Sequence, residues 1–266
     1  MDAPFNHQPI AVFDSGLGGL TVLRALRERL PEEDFFYFAD TRFLPYGDRA
    51  ESFIRERGEL IAAGLTRRGA KALVIACNTL TAAAAQSIRA TSALPVVALE
   101  PGVKPAAGLT RSGVIGVLAT TRTLGSERFR RLVDDYASRC RVLAQPCPGL
   151  AEAIEREGAD SPQVARLLDS FVTPLAAGGA DVVVLGCTHY PWAGAAIASR
   201  LPAGAILLDT GEAVARQLAN RLADAALLGG GQGRLTISSS GSPAAVAATV
   251  ERLWGSPLPV EPWEPA

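Results

Sequence analysis

Nine short apolar runs alternate along the chain with longer segments whose apolar residues recur at helical spacing. Runs such as ALVIA (72–76) and VVVLG (182–186) are apolar throughout, which is typical of strands buried on both faces of a parallel sheet. Strand–helix alternation of this kind predicts an α/β fold with parallel sheets and right-handed crossovers. The predicted strands are PIAVFD, DFFYF, ALVIA, PVVAL, GVIGVLA, CRVLA, DVVVLG, AILLD and RLTIS.

Turn and cap residues divide the rest of the chain. A helix is predicted after Ser161-Pro162, because serine caps a helix and proline is tolerated in the first turn. GGGQG (229–233) is interpreted as a flexible linker, and a last helix is expected to be capped at Ser242-Pro243. The proline-rich tail SPLPVEPWEPA is predicted to be irregular.

The chain also repeats itself in part. IAVFDSG (10–16) resembles IGVLATT (115–121), ALVIACNT (72–79) resembles VVVLGCTH (182–189), and ALEPGVKPA (98–106) resembles LLDTGEAVA (207–215). The three offsets are 105, 110 and 109 residues, in the same order along the chain. Apolar strands resemble one another easily, but the spacing favours two similar α/β halves. Cys77 and Cys187 would then occupy equivalent strand ends, facing each other across a cleft if the halves are related by a two-fold axis.

Charge and composition exclude several classes of protein. The chain has 26 basic and 27 acidic side chains, a net charge of −1 and 48% apolar residues, which is typical of a soluble globular protein. The basic residues form no stripe along the sequence, which argues against a nucleic acid partner. No apolar run approaches the ~18 residues that a membrane span needs, and MDAPFNHQPIAVF has no signal-peptide features. A cytoplasmic protein without membrane partners is therefore predicted.

Cysteines and histidines are few and scattered. None of the cysteines forms a CxxC pair, so we expect no structural metal site. A cysteine between a strand and a helix lies where the helix dipole favours the thiolate. Cys77 and Cys187 have this setting, whereas the other two are interpreted as packing residues. The residues concerned are Cys77, Cys140, Cys147, Cys187, His7 and His189.

Ligands of α/β sheets bind beyond the carboxyl ends of the strands, so polar residues there are the candidates for chemistry. His189, two residues after Cys187, is expected to polarise the thiol or relay a proton. Asp14 and Asp40 are either helix caps or catalytic carboxylates. The turn DSGLGG lets backbone amides approach an anion, but it fails the dinucleotide fingerprint at Thr21. The full set is Asp14, Ser15, Asp40, Thr41, Cys77, Asn78, Thr79, Thr120, Cys187, Thr188, His189 and Asp209.

These features resemble the glutamate racemases, of the cofactor-independent aspartate/glutamate racemase superfamily. CNT together with GCTHYP marks the superfamily, and DSGLGG, PYG and EPG narrow it to this family. The resemblance covers about residues 10–215. The matching stretches are FDSGLGGLTVLRAL, YFADTRFLPYGDR, IACNTLTAA, LPVVALEPG, GVLATTRTLGSERF, PCPGLAEAIEREG, VLGCTHYP and LLDTGEAVA.

The resemblance implies a two-base racemisation of glutamate without a cofactor. Cys77 would act on the D-isomer, assisted by Asp14, and Cys187 on the L-isomer, assisted by His189. Asp40 is a further assisting acid. The implied acidic partner of the histidine is Glu155, with Glu152 as a nearby competitor because CPGLAEAIE departs from the commoner pattern. Implied substrate contacts are Asp14, Ser15, Pro45, Tyr46, Gly47, Asn78, Thr79, Thr120, Thr123, Thr188 and His189.

The same chemistry can be argued from the residues. Amino-acid racemases that use pyridoxal phosphate need a Schiff-base lysine, and neither Lys71 nor Lys104 has such a setting. Without a cofactor, the carbanion must be stabilised by hydrogen bonds and desolvation. Inversion requires groups on opposite faces of the α-carbon, which two strand-end cysteines from two similar halves would supply.

Three alternatives remain open at this point. A thiol or serine hydrolase would use Cys187 or Ser15 with His189, but Ser15 lacks the GxSxG setting and Cys77 would have no role. An amino-acid-binding module would bind without turnover. A decarboxylase of the same superfamily usually retains one catalytic cysteine, whereas this chain keeps both.

Taken together, residues and resemblance predict two pseudo-symmetric doubly wound α/β domains with the active site at their interface. Residues 1–99 plus 210–266 would form the first domain and 100–209 the second. Resemblance further implies a homodimer that supplies D-glutamate for peptidoglycan. Some members of the family are activated by a cell-wall precursor through an N-terminal extension. Because only nine residues precede Ile10 here, we expect no such activation.

Overall fold

The structure is a computed structural model that describes residues 6–265. Part of the N-terminal stretch for which no signal peptide is predicted lies outside these residues. The chain forms two compact units: the first contains the described residues up to Leu99 and those from Gly211 onward, and the second contains Glu100–Thr210. Thr210, which the sequence analysis assigns to the first domain, lies in the second unit.

The strands of the described residues are short and mostly buried, as the apolar runs predict. They are β1 (Ile10–Asp14), β2 (Phe35–Ala39), β3 (Ala72–Ile75), β4 (Val96–Ala98), β5 (Val114–Ala119), β6 (Arg141–Pro146), β7 (Val182–Gly186), β8 (Ile206–Leu208), β9 (Leu235–Ser239) and β10 (Val260–Pro262).

Helices connect these strands, and three short 3₁₀ turns lie at Thr41–Phe43, Tyr46–Asp48 and Tyr190–Ala193. The α-helices are α1 (Leu20–Arg29), α2 (Glu51–Arg67), α3 (Asn78–Thr91), α4 (Val103–Leu109), α5 (Thr121–Leu124), α6 (Glu127–Tyr136), α7 (Leu150–Glu157), α8 (Pro162–Ala177), α9 (Gly194–Ala198), α10 (Gly211–Asp224) and α11 (Pro243–Trp254).

Each unit is built on its own parallel sheet. The first sheet has the strand order β10-β9-β2-β1-β3-β4, and the second has the order β6-β5-β7-β8. All strand pairs in both sheets are parallel. The predicted α/β class is therefore confirmed.

The two sheets share one order of winding. In each unit the first strand pairs with the second on one side and with the third on the other, so that β1, β2, β3 and β4 correspond to β5, β6, β7 and β8. Cys77 follows β3 and Cys187 follows β7, which makes their strand ends equivalent within the two units. The identical order agrees with the partial repeat in the sequence.

The prediction of an irregular C-terminal tail is wrong. β10 pairs in parallel with β9, and the Trp263 amide donates to the Ser239 carbonyl at 3.0 Å. The Trp263 ring packs edge-on against Phe38 and Phe36, with centroids 4.7 and 5.9 Å apart. Prolines are tolerated here because β10 is an edge strand, in which fewer amides must donate to neighbours.

The two predicted caps differ in outcome. Ser161 caps α8, and its hydroxyl accepts from the Val164 amide at 3.2 Å. Ser242 precedes α11 but its side chain makes no capping hydrogen bond. Proline in the first turn therefore accompanies both helix starts, whereas serine capping occurs only at the first.

The glycine-rich segment 229–233 is held in place, which corrects the interpretation as a flexible linker. A Cβ on Gly231 would lie 2.5 Å from the Asp34 nitrogen, so only glycine fits against this backbone. The Gly229 amide donates to Glu33, and its carbonyl accepts from Lys71 at 3.0 Å. The segment is fixed by contacts with residues far away in the sequence, which composition alone does not reveal.

Lys71 anchors this region from inside the protein. Its ammonium lies 2.6 Å from Glu33 Oε2, and both side chains are almost fully buried. It also donates to the backbone carbonyl of Asn6 at 2.7 Å. The Lys71 ammonium is therefore engaged in structural contacts within the protein and is not placed to bind a cofactor.

Lys71→Met is therefore expected to lower the free energy of unfolding by roughly 3–5 kcal/mol, because it leaves the Glu33 carboxylate buried without its partner. Urea unfolding followed by circular dichroism measures the change. Lys104→Met is the matched control, since Lys104 is exposed over the Tyr136 ring; it should change stability by less than about 1 kcal/mol. Equal stability of the two variants would contradict this account of Lys71.

Candidate active site

Two groups of polar residues lie at the carboxyl ends of the central strands, one in each unit. The winding of each sheet reverses between its first and third strands, and this switch point is where α/β sheets bind ligands. We call the residues at the ends of β1 and β3 the first half-site, namely Asp14, Ser15, Cys77, Asn78 and Thr79. The residues around the ends of β5 and β7 form the second half-site, namely Thr120, Thr123, Glu155, Cys187, Thr188 and His189.

Cys77 sits at the N-terminus of α3 in the first half-site. The residue is buried, its backbone is extended, and its Sγ accepts from the Leu80 amide at 3.4 Å. The Ser15 hydroxyl lies 3.5 Å from the same sulfur. Amide and hydroxyl donors stabilise a thiolate at a helix N-terminus. The local geometry therefore suits a thiol that gives up and regains a proton.

Asp14 is enclosed by the turn that follows β1. Its carboxylate accepts from the Ser15 amide at 2.7 Å and the Gly19 amide at 2.6 Å. A Cβ on Gly19 would lie 2.9 Å from the Tyr37 hydroxyl and 3.0 Å from Asp14 Cβ, so glycine allows this close approach. Asp14 thus binds the turn that starts α1 and also contacts the Ser15 hydroxyl at 3.3 Å. Both roles considered in the sequence analysis are compatible with this position.

Ser15 links Asp14 to Cys77. Its hydroxyl is within reach of both the Asp14 carboxylate and the Cys77 sulfur. From the sequence, Ser15 is interpreted as a substrate contact or, in the hydrolase alternative, as a nucleophile. Its second contact was missed because residue 15 and residue 77 come from different strands, and no local pattern reports their distance.

Asn78 and Thr79 complete the first half-site and are both buried. The Asn78 side-chain oxygen has no hydrogen-bond partner among the described residues. A buried amide oxygen without a partner is costly unless a ligand supplies a donor. This oxygen is therefore suited to a ligand group that donates, such as an ammonium.

The second half-site contains a chain of three side chains. Cys187 Sγ lies 3.8 Å from His189 Nδ1, and His189 Nε2 lies 2.6 Å from Glu155 Oε2. Cys187 and His189 are buried, and the Glu155 side chain is 12% exposed. Of the two glutamates that the sequence left open, the one hydrogen-bonded to His189 is Glu155 rather than Glu152. The segment directly after β7 supplies the thiol and the imidazole, and α7 supplies the carboxylate.

His189 carries a proton more readily than a free histidine. Burial by itself lowers its pKa, but hydrogen bonds with Cys187 and Glu155, together with their negative charges, outweigh burial. The pKa of His189 therefore lies well above its ordinary value of 6.5. A protonated imidazole can donate a hydrogen bond to the neighbouring Cys187 sulfur.

The raised pKa of His189 makes stability depend on pH. A group whose pKa is higher in the folded state stabilises it fully below the unfolded value and loses this contribution as pH rises through the folded value. Unfolding free energy should therefore fall as pH increases from about 6.5. Glu155→Gln should lower stability near pH 6.5 and flatten this decline, because it removes two of the interactions that raise the pKa.

Urea unfolding at several pH values between 6 and 9 measures this effect. Glu157→Gln is the matched control, since Glu157 is exposed on the same helix and pairs with Arg156. It should leave the pH profile unchanged. If the unfolding free energy of the Glu155→Gln variant changes with pH in parallel with that of the wild type, Glu155 does not raise the pKa of His189.

Thr120 and Thr123 form the start of the short helix α5. The Thr120 hydroxyl accepts from the Thr123 amide at 3.2 Å and contacts its hydroxyl at 2.9 Å. Thr188, directly after Cys187, is buried. The structure thus places the three predicted threonines near the carboxyl ends of neighbouring strands of the second sheet.

Asp40 lies in a buried ion pair. Its two carboxylate oxygens accept from Arg57 at 2.7 and 2.8 Å, and the Tyr46 hydroxyl donates to it at 2.5 Å. Pro45 and Gly47 flank Tyr46 in the loop and 3₁₀ turn before α2. Arg57 could not be predicted from the sequence, because an arginine within a helix has no local signature of an ion pair. Because both carboxylate oxygens of Asp40 already accept hydrogen bonds, this carboxylate is suited to holding Arg57 and Tyr46 in position.

The remaining two cysteines lie in apolar surroundings. Cys147 is buried in the core of the second unit, and burial raises the pKa of its thiol to about 12. Cys140 is half-buried against a neighbouring apolar cluster. A thiol that stays protonated in an apolar environment is a packing residue.

Two further findings concern possible ligands and membranes. Within residues 6–265, no group of three or more histidine, cysteine, aspartate or glutamate side chains could hold a metal ion. Among the helices of this part of the chain, none combines the length and apolar character required to cross a membrane.

Comparison with known proteins identifies relatives over nearly the whole chain. The profile of the Asp/Glu/Hydantoin racemase family matches residues 20–218. The glutamate racemase of Stutzerimonas stutzeri is 48% identical over 254 residues, which are 95% of this chain and 96% of that protein. The glutamate racemase of Pseudomonas aeruginosa PAO1 is 49% identical over 250 residues, covering 93% of this chain and 94% of that protein.

Solved structures of glutamate racemases share the fold. The enzyme from Bacillus anthracis has a TM-score of 0.89 at 29% identity, covering 97% of this chain and 98% of that one. The Francisella tularensis enzyme in complex with D-glutamate has a TM-score of 0.85 at 27% identity, with the same coverage. The Escherichia coli enzyme in complex with L-glutamate and the activator UDP-MurNAc-Ala has a TM-score of 0.83 at 28% identity, covering 96% and 97%.

The family profile covers most of the chain, and the curated relatives are about half identical over nearly its full length. The chain therefore belongs to the Asp/Glu/hydantoin racemase family and, within it, to the glutamate racemase enzymes.

Proposed function

We propose that the protein interconverts L- and D-glutamate by a two-base reaction in which Cys77 and Cys187 act on opposite faces of the α-carbon. The observation that carries the proposal is the pair of buried thiols at equivalent strand ends, each with its own polar partners. The glutamate isomers bound by the Francisella tularensis and Escherichia coli enzymes support the choice of substrate.

In one direction, the Cys77 thiolate removes the α-proton of D-glutamate and becomes a thiol. The electron pair left on the α-carbon is delocalised into the adjacent carboxylate. The Cys187 thiol then donates its proton to the other face, which gives L-glutamate and a Cys187 thiolate. The reverse reaction uses the two sulfurs in exchanged roles, and proton exchange with solvent resets them.

Each half-site supports its own thiol. Ser15 and Asp14 are proposed to orient Cys77, and the Glu155-bound imidazole of His189 is proposed to stabilise the Cys187 thiolate and return its proton. Hydrogen-bonding and electrostatic stabilisation of the developing carbanion would replace the electron sink that a cofactor supplies.

Substrate binding is proposed to rest on amides and small polar side chains. The Asn78 oxygen would accept from the substrate ammonium. Amide groups near helix starts bind carboxylates without lysines. Contacts are proposed from Asp14, Ser15, Pro45, Tyr46, Gly47, Asn78, Thr79, Thr120, Thr123, Thr188 and His189.

Racemisation can be tested with purified protein, a chelator and no added cofactor. L-glutamate and D-glutamate are incubated separately, and optical rotation is followed. We expect the rotation of both solutions to fall to zero, and expect aspartate to react much more slowly. Retained rotation with both glutamate isomers, or activity only after pyridoxal phosphate is added, would contradict the proposal.

The product is proposed to serve peptidoglycan synthesis in the cytoplasm. Expression in a bacterial strain that requires D-glutamate should restore growth without the supplement, and the Cys77→Ser variant should not. Growth restored equally by both proteins would contradict the proposal that racemisation supplies the D-glutamate needed for growth.

A homodimer is proposed on family resemblance. Sedimentation equilibrium should give about twice the chain mass of 27.8 kDa. A mass that remains at that of one chain across micromolar concentrations would contradict this part of the proposal.

A further inference from the structure

A buried arginine lies at the centre of a polar network in the first unit. The guanidinium of Arg57, on α2, makes two hydrogen bonds to Asp40, which is fully buried, and its own side chain is 9% exposed. The Phe43 ring covers it at 4.5 Å. Because two charges lose hydration when buried, such a pair is weak support for stability by itself. The geometry of the Arg57–Asp40 pair instead fixes the positions of the other side chains that these two residues bind.

Tyr46 extends the network toward Cys77. Its hydroxyl donates to the same Asp40 oxygen that accepts from Arg57 Nε. Burial and the Asp40 charge raise the pKa of Tyr46 far above its usual range, so the hydroxyl remains a donor. Tyr46 and Cys77 belong to one buried cluster, and a charge on the sulfur further disfavours tyrosinate. Holding Tyr46 therefore shapes the surroundings of the Cys77 thiol.

The C-terminal segment holds the arginine from the opposite side. Glu264, just after β10, accepts from Arg57 Nη2 at 3.2 Å and from Arg42 at 2.8 Å. The preceding residue, Trp263, seats the segment on the sheet through Phe36 and Phe38. The last described residues thus reach the network that contains Tyr46, a member of the same buried cluster as Cys77.

We propose that Arg57 is a positioning residue for the Cys77 half-site, that it acts through Asp40 and Tyr46, and that Glu264 holds it in place. This inference rests on the proposed two-thiol function. Asp40 then supports proton transfer by orienting Tyr46 and does not itself exchange a proton with the substrate. The C-terminal strand becomes part of the catalytic support of the first half-site.

A lysine cannot replace Arg57 in this role. The guanidinium fork donates to both carboxylate oxygens and still has a donor for Glu264, whereas an ammonium is a point charge. Arg57→Lys keeps the charge next to Asp40 but loses the fixed geometry. The substitution therefore separates positioning from charge balance.

The test measures each half-site separately with the authentic substrate. In a Cys187→Ser protein, Cys77 alone should exchange the α-proton of D-glutamate for deuterium in D₂O without inversion. In a Cys77→Ser protein, Cys187 alone should do the same with L-glutamate. Arg57→Lys is placed in both backgrounds, and α-deuterium is followed by NMR.

We expect Arg57→Lys to slow D-glutamate exchange on the order of 10-fold, because small displacements of a reacting group have large effects on rate. L-glutamate exchange should change by less than about 2-fold, since the Cys187 half-site makes none of these contacts. Glu264→Gln should reduce D-glutamate exchange in the same direction by a smaller factor.

Two matched controls contact the same strand without touching Asp40. Arg68 pairs with Glu261 at 3.7 Å and stacks on Phe36 and Trp263. Arg68→Lys and Glu261→Gln should leave exchange of both isomers within about 2-fold of the parent protein. Loss in these variants equal to that in Arg57→Lys would mean that strand packing, not the network, is responsible.

The outcomes distinguish this inference from the function on which it rests. Equal slowing of both isomers by Arg57→Lys, or no slowing, would overturn the positioning role while one-sided exchange in the parent proteins still supports the two-thiol reaction. Absence of one-sided exchange in the parent proteins would contradict the proposed function and this inference with it.

Discussion

Cys77→Ser and Cys187→Ser are each expected to reduce racemisation by about 10²–10⁴-fold, which is the range for loss of a general acid or base. A serine hydroxyl is far less acidic than a thiol, so it neither forms the anion that removes the α-proton nor returns a proton readily. Since inversion needs a group on each face of the α-carbon, either substitution alone should reduce the overall reaction to this residual level.

The partial reactions should survive on one side only. The Cys187→Ser protein should exchange the α-proton of D-glutamate, and the Cys77→Ser protein should exchange that of L-glutamate. Cys140→Ser is the control, because Cys140 is half-buried against an apolar cluster and directly precedes β6, at the amino end of a strand. Racemisation at the wild-type rate in either single variant would show that one of the thiols is not a required base.

His189→Asn is expected to have the second largest effect, a loss of racemisation of about 10²-fold. The substitution removes the imidazole that lies 3.8 Å from Cys187 Sγ and leaves Glu155 without its 2.6 Å partner. The loss should be one-sided: L-glutamate exchange falls in the Cys77→Ser background, and D-glutamate exchange in the Cys187→Ser background does not.

The chain offers a matched histidine for this experiment. His7 is exposed, and its Nδ1 contacts the Gly230 carbonyl. His7→Asn should leave both exchange reactions unchanged. Equal loss of D- and L-glutamate exchange in His189→Asn would indicate disruption of the fold or of substrate binding rather than support of one thiol.

Much of the fold could be predicted because its signals are local. Apolar runs such as residues 72–76 and 182–186 report burial on both faces, and Ser161-Pro162 reports a helix start. The repeat around Cys77 and Cys187 correctly anticipates equivalent strand ends, since β1–β4 and β5–β8 have the same order in their sheets.

The errors share one physical cause: the deciding contacts are long-range. GGGQG has the composition of a linker, yet Gly231 packs against the backbone around Asp34. The proline-rich tail contains too little apolar pattern to predict β10, whose position depends on Trp263 packing against Phe36 and Phe38.

The site residues divide in the same way. Cys77, Cys187 and His189 could be selected because each lies at a strand end, where chemistry is expected. The choice between Glu155 and Glu152 was open in the sequence and depends on which face of α7 approaches His189. Arg57 and Glu264 could not be found, since they come from a helix and the C-terminal segment and meet Asp40 only in the folded chain.

The central claim is that two different groups exchange protons on the two faces of glutamate. It is tested most directly by incubating the wild-type protein with L-glutamate in D₂O and analysing each isomer by NMR at early times. The account predicts that the D-glutamate formed carries α-deuterium while the remaining L-glutamate keeps its α-proton. Protium carried into the D-glutamate, or deuterium entering both isomers at one rate, would indicate a single shared base and contradict the account.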